Sequence, residues 1–143
     1  MATWILTADR AGARIFERND AELSVTEEIV HEEGRLKDSE LNSDRPGRSF
    51  DRRGVGRHAM SRPESPHERV ASNFARTLAH KLNDGRVHGR FTRLVMAAEP
   101  GFLGLLREAL DPETARMLVG SLPKDLQHMR PEEVAPHVLP LLA

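Results

Sequence analysis

The chain has no cysteine and no tyrosine, and its aromatic content is one tryptophan and five phenylalanines in 143 residues. Without cysteine there is no disulfide framework, no thiolate zinc site and no cysteine nucleophile, a composition that fits a reducing cytoplasm. So few aromatic rings argue against a platform that reads single-stranded nucleic acid by stacking on its bases. No run approaches the roughly 18 apolar residues needed to cross a bilayer, and the opening MATWILTADRAGARIF lacks the basic start and long apolar core of a leader. The expectation is a cytoplasmic protein with no membrane partner. Also missing are an internal repeat, a G-x-S-x-G nucleophile elbow and a G-x-x-x-x-G-K phosphate loop.

What is present is an uneven distribution of charge. The whole chain has a formal net charge of −1, yet Ser43 to Arg62 (SDRPGRSFDRRGVGRHAMSR) sets six arginines against two aspartates. That segment carries +4, so the remainder carries −5, and a local basic stretch sits on a mildly acidic body. Such asymmetry points to a polyanion or an acidic protein surface as partner rather than to a small-molecule pocket. Arg45, Arg48, Arg52, Arg53, Arg57 and Arg62 can each engage a phosphate in bidentate fashion, and His58 is a further phosphate contact or a general base. The competing explanations are a solvated linker, and internal pairing of these arginines with Glu27, Glu28, Glu32 and Glu33.

At this length the simplest organisation is one domain over residues 1–143, able to bury roughly 68–70% of its unfolded surface. Trp4, Leu6 and Ala8 alternate with Ile5 and Thr7, and Ala13, Ile15 and Glu17 with Arg14 and Phe16, which is the strand period. Asp9-Arg10-Ala11-Gly12 supplies the turn of a hairpin between them, and Leu23 to His31 extends a three-stranded meander. From Gly34 to Ser65 no period survives, and Pro46, Gly47, Gly54, Gly56 and Pro63 break any that begins. A connection of that length inside a compact domain is usually functional or disordered.

Ser65-Pro66-His67-Glu68 reads as a capping box, and Val70, Ala71, Phe74, Ala75, Leu78 and Leu82 form one apolar stripe that Asn83-Asp84-Gly85 ends. Phe91 to Ala98 is apolar on both faces, as a central strand requires. Short helices follow at Phe102 to Leu110 and, capped by Asp111, through Val119. A last strand is expected over Leu122 to Met129, and a terminal helix from Pro131 that Pro136 and Pro140 keep short. This order suits an α/β fold, a ribonuclease H-like three-layer sandwich with a mixed five-stranded sheet.

Several stretches together resemble the host attachment protein family, which is itself similar to the middle domain of archaeal and eukaryotic class-1 peptide release factors and of pelota. They are WILTADRAGARIF (4–16), HEEGRLKDSEL (31–41), SDRPGRSFD (43–51), GRHAM (56–60), FLGLLREAL (102–110) and LPKDLQHM (122–129). In the release factors the corresponding long loop carries a Gly-Gly-Gln tip that promotes peptidyl-tRNA hydrolysis. The best match here is Gly54-Val55-Gly56-Arg57, which lacks the glutamine and places Val55 where permissive backbone is required. The resemblance therefore implies an RNA- or ribosome-facing loop without the hydrolytic role, so no catalytic residue and no cofactor is expected. Attachment to host cells or surfaces is the alternative that the family name implies. An altered hydrolase using His58 or Asp9 is a further one.

Metal chemistry is not expected from the sequence. The seven histidines include no pair at the four-residue spacing of a helix-borne zinc site. Asp125 and His128, if they lie on a strand, face opposite sides of it. Asp9 ends the first strand without a partner carboxylate on the Phe91 to Ala98 strand.

Overall fold

The computed structural model describes residues 2–35 and 65–143, and the following statements concern those residues. Five strands, β1 (Thr3–Asp9), β2 (Gly12–Asn19), β3 (Glu22–Val30), β4 (Arg93–Ala97) and β5 (Leu118–Leu122), form one mixed sheet in the order β3-β2-β1-β4-β5. The first three are an antiparallel meander, while β4 runs parallel to both β1 and β5. Helices α1 (Pro66–Val87), α2 (Pro100–Ala109), α3 (Pro112–Met117) and α4 (Pro131–Val138) complete it, with single turns of 3-10 helix at Glu32–Arg35 and Leu139–Leu142. The α/β architecture with a five-stranded mixed sheet flanked by helices is the expected one.

Alternation along the strands divides the core into two layers. Leu6, Ala8, Ala13, Ile15, Leu94 and Met96 face α1 and α2, where they meet Phe74, Leu78, Leu82, Phe102 and Leu106. Ile5, Phe16, Leu23, Val95 and Ala97 face the other way, onto Leu126, Val134, Val138 and Leu142. Each fully buried Leu, Ile, Val, Met or Phe side chain among them contributes about 1.5–3 kcal/mol relative to exposure. β4 is apolar on both faces because both are covered, and Leu94 to Ala97 are inaccessible to solvent.

Two boundaries obey the local signals. The Ser65 hydroxyl accepts the Glu68 N–H at 3.1 Å and the Glu68 carboxylate accepts the Ser65 N–H at 3.0 Å, which is the reciprocal capping box. The Asp9 carboxylate accepts the Ala11 N–H at 2.8 Å, closing the β1–β2 turn.

Other boundaries differ from the sequence reading. Helix α1 runs past Gly85 to Val87, and its stop is Gly89, at φ 69°. The Arg90 N–H reaches the Gly85 carbonyl and the Gly89 N–H the Arg86 carbonyl, the bond pair of a glycine-terminated helix end. Gly85 lies within the helix, and the Trp4 ring lies against it; a β-carbon there would stand 2.7 Å from two ring atoms, so the position takes glycine for close packing rather than as a helix end. Helix α3 ends at Met117 rather than Val119, and the final strand is Leu118–Leu122, not Leu122 to Met129. Pro123 has no N–H to give a ladder and marks the strand's end.

Strand β3 carries a bulge. Ile15 pairs with Glu27 and Phe16 with Val25, so Thr26 is extra, and its hydroxyl donates to the Ile15 carbonyl at 3.1 Å. The bulge moves the side chains to opposite faces. Leu23 lies in the α4 layer, while Glu27 forms an ion pair with Lys81 of α1 and Ile29 packs in the α1 layer.

Helix α3 is tied to α1 through polar groups gathered around one buried hydroxyl. Asp111 caps α3 by accepting the Thr114 N–H at 2.7 Å. The Thr114 hydroxyl, wholly buried, accepts from Arg86 Nε at 3.0 Å and donates to Asn83 Oδ1 at 3.3 Å. The bond from the Thr114 backbone holds the Asp111 carboxyl below its usual range; partial burial opposes this, and the Arg86 guanidinium adds to it. A carboxyl that is more acidic in the folded state stabilises above its unfolded-state pKa and stops doing so as pH falls through its folded-state pKa. Asp111→Ala is therefore expected to cost on the order of 1 kcal/mol in urea denaturation at pH 7. The difference from the parent should shrink as the pH falls below the carboxylate range, because the part that depends on the charge is lost. A difference that stays constant into strong acid would show that the charge of the cap contributes nothing.

Candidate functional site

The parallel strands β1, β4 and β5 all end at one edge of the sheet, and in open α/β sheets that edge is where ligands bind. Three connections meet there: the β1–β2 turn with Asp9, Arg10 and Ala11, the β4–α2 junction with Glu99, and the β5–α4 connection with Asp125, Leu126, Gln127 and His128. Glu99 caps α2, accepting the Phe102 N–H at 2.6 Å and the Gly101 N–H at 3.2 Å, and stands 3.6 Å from the Arg10 guanidinium. Its charge is thus shared between the helix end and Arg10.

The β5–α4 connection is fastened to the sheet by one arginine and one glutamine. Gln127 Oε1 accepts from the Thr7 hydroxyl at 2.7 Å and from Arg14 Nε at 3.2 Å, while Arg14 Nη2 donates to the Leu126 carbonyl at 3.0 Å. The Arg14 guanidinium also lies 4.9 Å from the centre of the Phe16 ring. Burial pushes its pKa down from the ordinary arginine value, and Glu28, its partner across the β2–β3 pair, works against that shift. The guanidinium stays charged in any case. Leu126, nearly inaccessible, plugs the layer beneath.

These contacts bring together residues that the sequence reading set apart. Residues 125–128 form a turn, not a strand: the Gln127 N–H bonds to Asp125 Oδ1 at 2.9 Å and the Met129 N–H to the Leu126 carbonyl at 3.1 Å. Asp125 and His128 consequently lie on the same side, beside Asp9, with His128 Nε2 3.9 Å from Asp9 Oδ2. The partner carboxylate of Asp9 comes from this connection rather than from β4. Pro123 and Asp125, both turn formers, were the available signal.

The described residues on either side of the arginine-rich segment stand at this same edge. On the outgoing side, the His31 N–H donates to the Ala11 carbonyl at 2.8 Å. Its Nδ1 lies 3.0 Å from the Arg10 carbonyl, an acceptor only, so Nδ1 carries the hydrogen. The ring stacks on Phe74 of α1 with centroids 4.1 Å apart. Gly34 then passes so close to the turn that a β-carbon would fall 1.6 Å from the Arg10 carbonyl oxygen. On the return side the first turns of α1 stand over the same turn: Glu68 and Ser72 share with Arg10, Gly101 and Leu105 a shallow hollow of about 310 Å³. Arg45, Arg48, Arg52, Arg53, Arg57, His58 and Arg62 all fall in 36–64, outside the described residues.

The Gln127 clasp can be tested directly. Gln127→Ala leaves the buried Thr7 hydroxyl without its acceptor and should cost about 1–3 kcal/mol. Adding Thr7→Val removes the orphaned group, so the double variant should lose less than the sum of the two single losses in denaturant titrations. Strict additivity would mean that the two side chains do not depend on each other.

Comparison with known proteins agrees with this architecture. No curated protein sequence gives a significant match. Among solved structures, an archaeal translation termination factor, aRF1, superposes with a TM-score of 0.51 at 14% identity, over 99% of this chain and 39% of its own length. A structure described as an archaeal protein superposes with a TM-score of 0.47 at 12% identity, over 99% of this chain and 38% of its own. The chain therefore spans about two fifths of each of these proteins, and the first likeness is one of fold. A family model described as "protein required for attachment to host cells" matches residues 4–138. The chain belongs to this host attachment family.

Proposed function

We propose that this protein is a non-catalytic binder of RNA, with the ribosome as its place of action in the cytoplasm, and that the arginine-rich segment makes the contact. The observation that carries this reading is the charge separation: +4 concentrated in Ser43 to Arg62 against −5 over the rest of the chain. Arginine is the cation best matched to phosphate, since its planar fork donates two bonds at once. Glycine and the small residues between the arginines let the backbone follow an irregular surface. The scarcity of aromatic side chains directs the reading to phosphate contacts rather than to bases.

Two further observations support it. Of the residues that flank the segment, Arg35 ends the single turn that follows β3 and Ser65 caps α1, both at the edge where the parallel strands end. The solved structure that shares the fold at a TM-score of 0.51 is a translation termination factor, which makes the ribosome the natural place to look. The second reading, attachment to host cells, rests on the family description.

Binding through phosphates releases counterions and weakens steeply with salt. In sucrose gradients of lysate, the wild-type protein should travel with ribosomal fractions at low salt and leave them as salt rises. A variant with Arg48, Arg52, Arg53 and Arg57 replaced by alanine should stay at the top throughout. If the wild type also stays at the top at every salt concentration, the ribosomal reading fails. Recovery of the protein from outside the cell would then favour direct attachment.

A further inference from the structure

Asp9, Asp125 and His128 offer one ligand atom each within 4.8 Å of one another. They come from the end of β1 and from the connection after β5, more than a hundred residues apart in the chain. Asp9 Oδ1 accepts the Ala11 N–H and Asp125 Oδ1 accepts the Gln127 N–H, so each carboxylate is oriented by one oxygen and has its second left for another partner. The connection carrying Asp125 and His128 cannot drift away from Asp9, because Gln127 and Leu126 are bound to Thr7 and Arg14 on the adjacent strands. Among the described residues no lysine or arginine forms an ion pair with Asp9 or Asp125. Two carboxylates are thus held near one another beside an imidazole, with no side-chain cation between them.

We propose that Asp9, Asp125 and His128 bind a divalent transition-metal cation through one nitrogen and two oxygen donors. The mixed donor set favours a borderline ion such as Zn²⁺ over Ca²⁺ or Mg²⁺, which take oxygen ligands almost exclusively. Ligands at zinc distances in a tetrahedral arrangement stand about 3.4 Å apart. The 3.9 Å between His128 Nε2 and Asp9 Oδ2 closes by rotation of the His128 side chain, which is 86% exposed and free to turn. Three protein ligands leave coordination positions open to water or to an oxygen of a bound anion. The site lies at the carboxyl edge of the parallel strands and does not depend on the reading of the arginine-rich segment.

The test is calorimetric titration of the full chain, free of any histidine tag, with zinc chloride. One equivalent should bind. His128→Ala and Asp125→Asn, both at exposed positions, should each weaken binding by more than about tenfold, at least the loss seen when supporting groups around metal ligands are removed. Asp9→Asn should do the same while keeping the Oδ1 acceptor that closes the β1–β2 turn. His88→Ala is the control: His88 lies 3.4 Å from Asp84 on the surface of α1, a second imidazole–carboxylate pair far along the chain from the cluster. It should leave binding unchanged, and thermal melts without metal should show all four variants folded. Absence of a zinc titration in the wild type overturns the proposal. So does binding that survives His128→Ala, or that is lost with His88→Ala.

Discussion

The parallel pairing of β1 with β4 is the constraint on which the other elements depend. Two parallel strands cannot be joined by a tight turn, so the chain must leave the end of one and come back to the start of the other through a long crossover. Here the crossover includes β2, β3, the arginine-rich segment and α1. Because β1 is also paired with β2 on its other edge, it is hydrogen-bonded on both sides and covered on both faces. With β1 central, the carboxyl ends of the parallel strands converge, and the acidic residue that ends β1 lies where later parts of the chain can reach it.

What reaches it is fixed by a small number of polar contacts across a large sequence distance. Arg14 and Thr7 sit on neighbouring strands of the hairpin, and Gln127 receives a bond from each. The apolar layer holds the β5–α4 connection through Leu126, and the polar contacts orient the residues on either side of it. Polar groups that are buried or half-buried must find partners, and Gln127 in this placement satisfies Thr7 and Arg14 together. Specificity of this kind turns a surface connection into part of a site. The same logic operates at the opposite end of α1, where Asn83, Arg86 and Thr114 share bonds around a buried hydroxyl.

Local signals carried much of the architecture. The strand period of 4–17, the capping box at Ser65 and the two-sided apolar run in β4 are each decided within a few residues, and each appears where expected. The family resemblance seen in the sequence is likewise matched over residues 4–138. The features that escaped depend on distant partners. The bulge at Thr26 turns Glu27 and Ile29 to the face of α1, where Glu27 meets Lys81. Gly85 reads as a helix end in isolation, whereas it is a packing glycine inside the helix, with Trp4 in the space that a side chain would fill. Residues 122–129 read as a strand in isolation, which sets Asp125 and His128 on opposite faces; the turn that forms instead brings both to Asp9. The arginine-rich segment was legible as chemistry from its composition alone.

The contact between Trp4 and α1 gives the protein a built-in optical reporter with a defined field of view. Trp4 is the single tryptophan; its ring stacks on Phe91 with centroids 4.8 Å apart and rests on the bare backbone of Gly85. It lies near the start of β1, about 17 Å of strand from Asp9 at the other end. Its emission accordingly monitors the docking of the end of α1 onto the sheet. An event confined to the carboxyl edge of the strands would leave this signal unchanged unless it propagated through β1 itself. Fluorescence and ligand occupancy in this protein are thus spatially separated observables, and agreement between them would mean that the two ends of the sheet move as one.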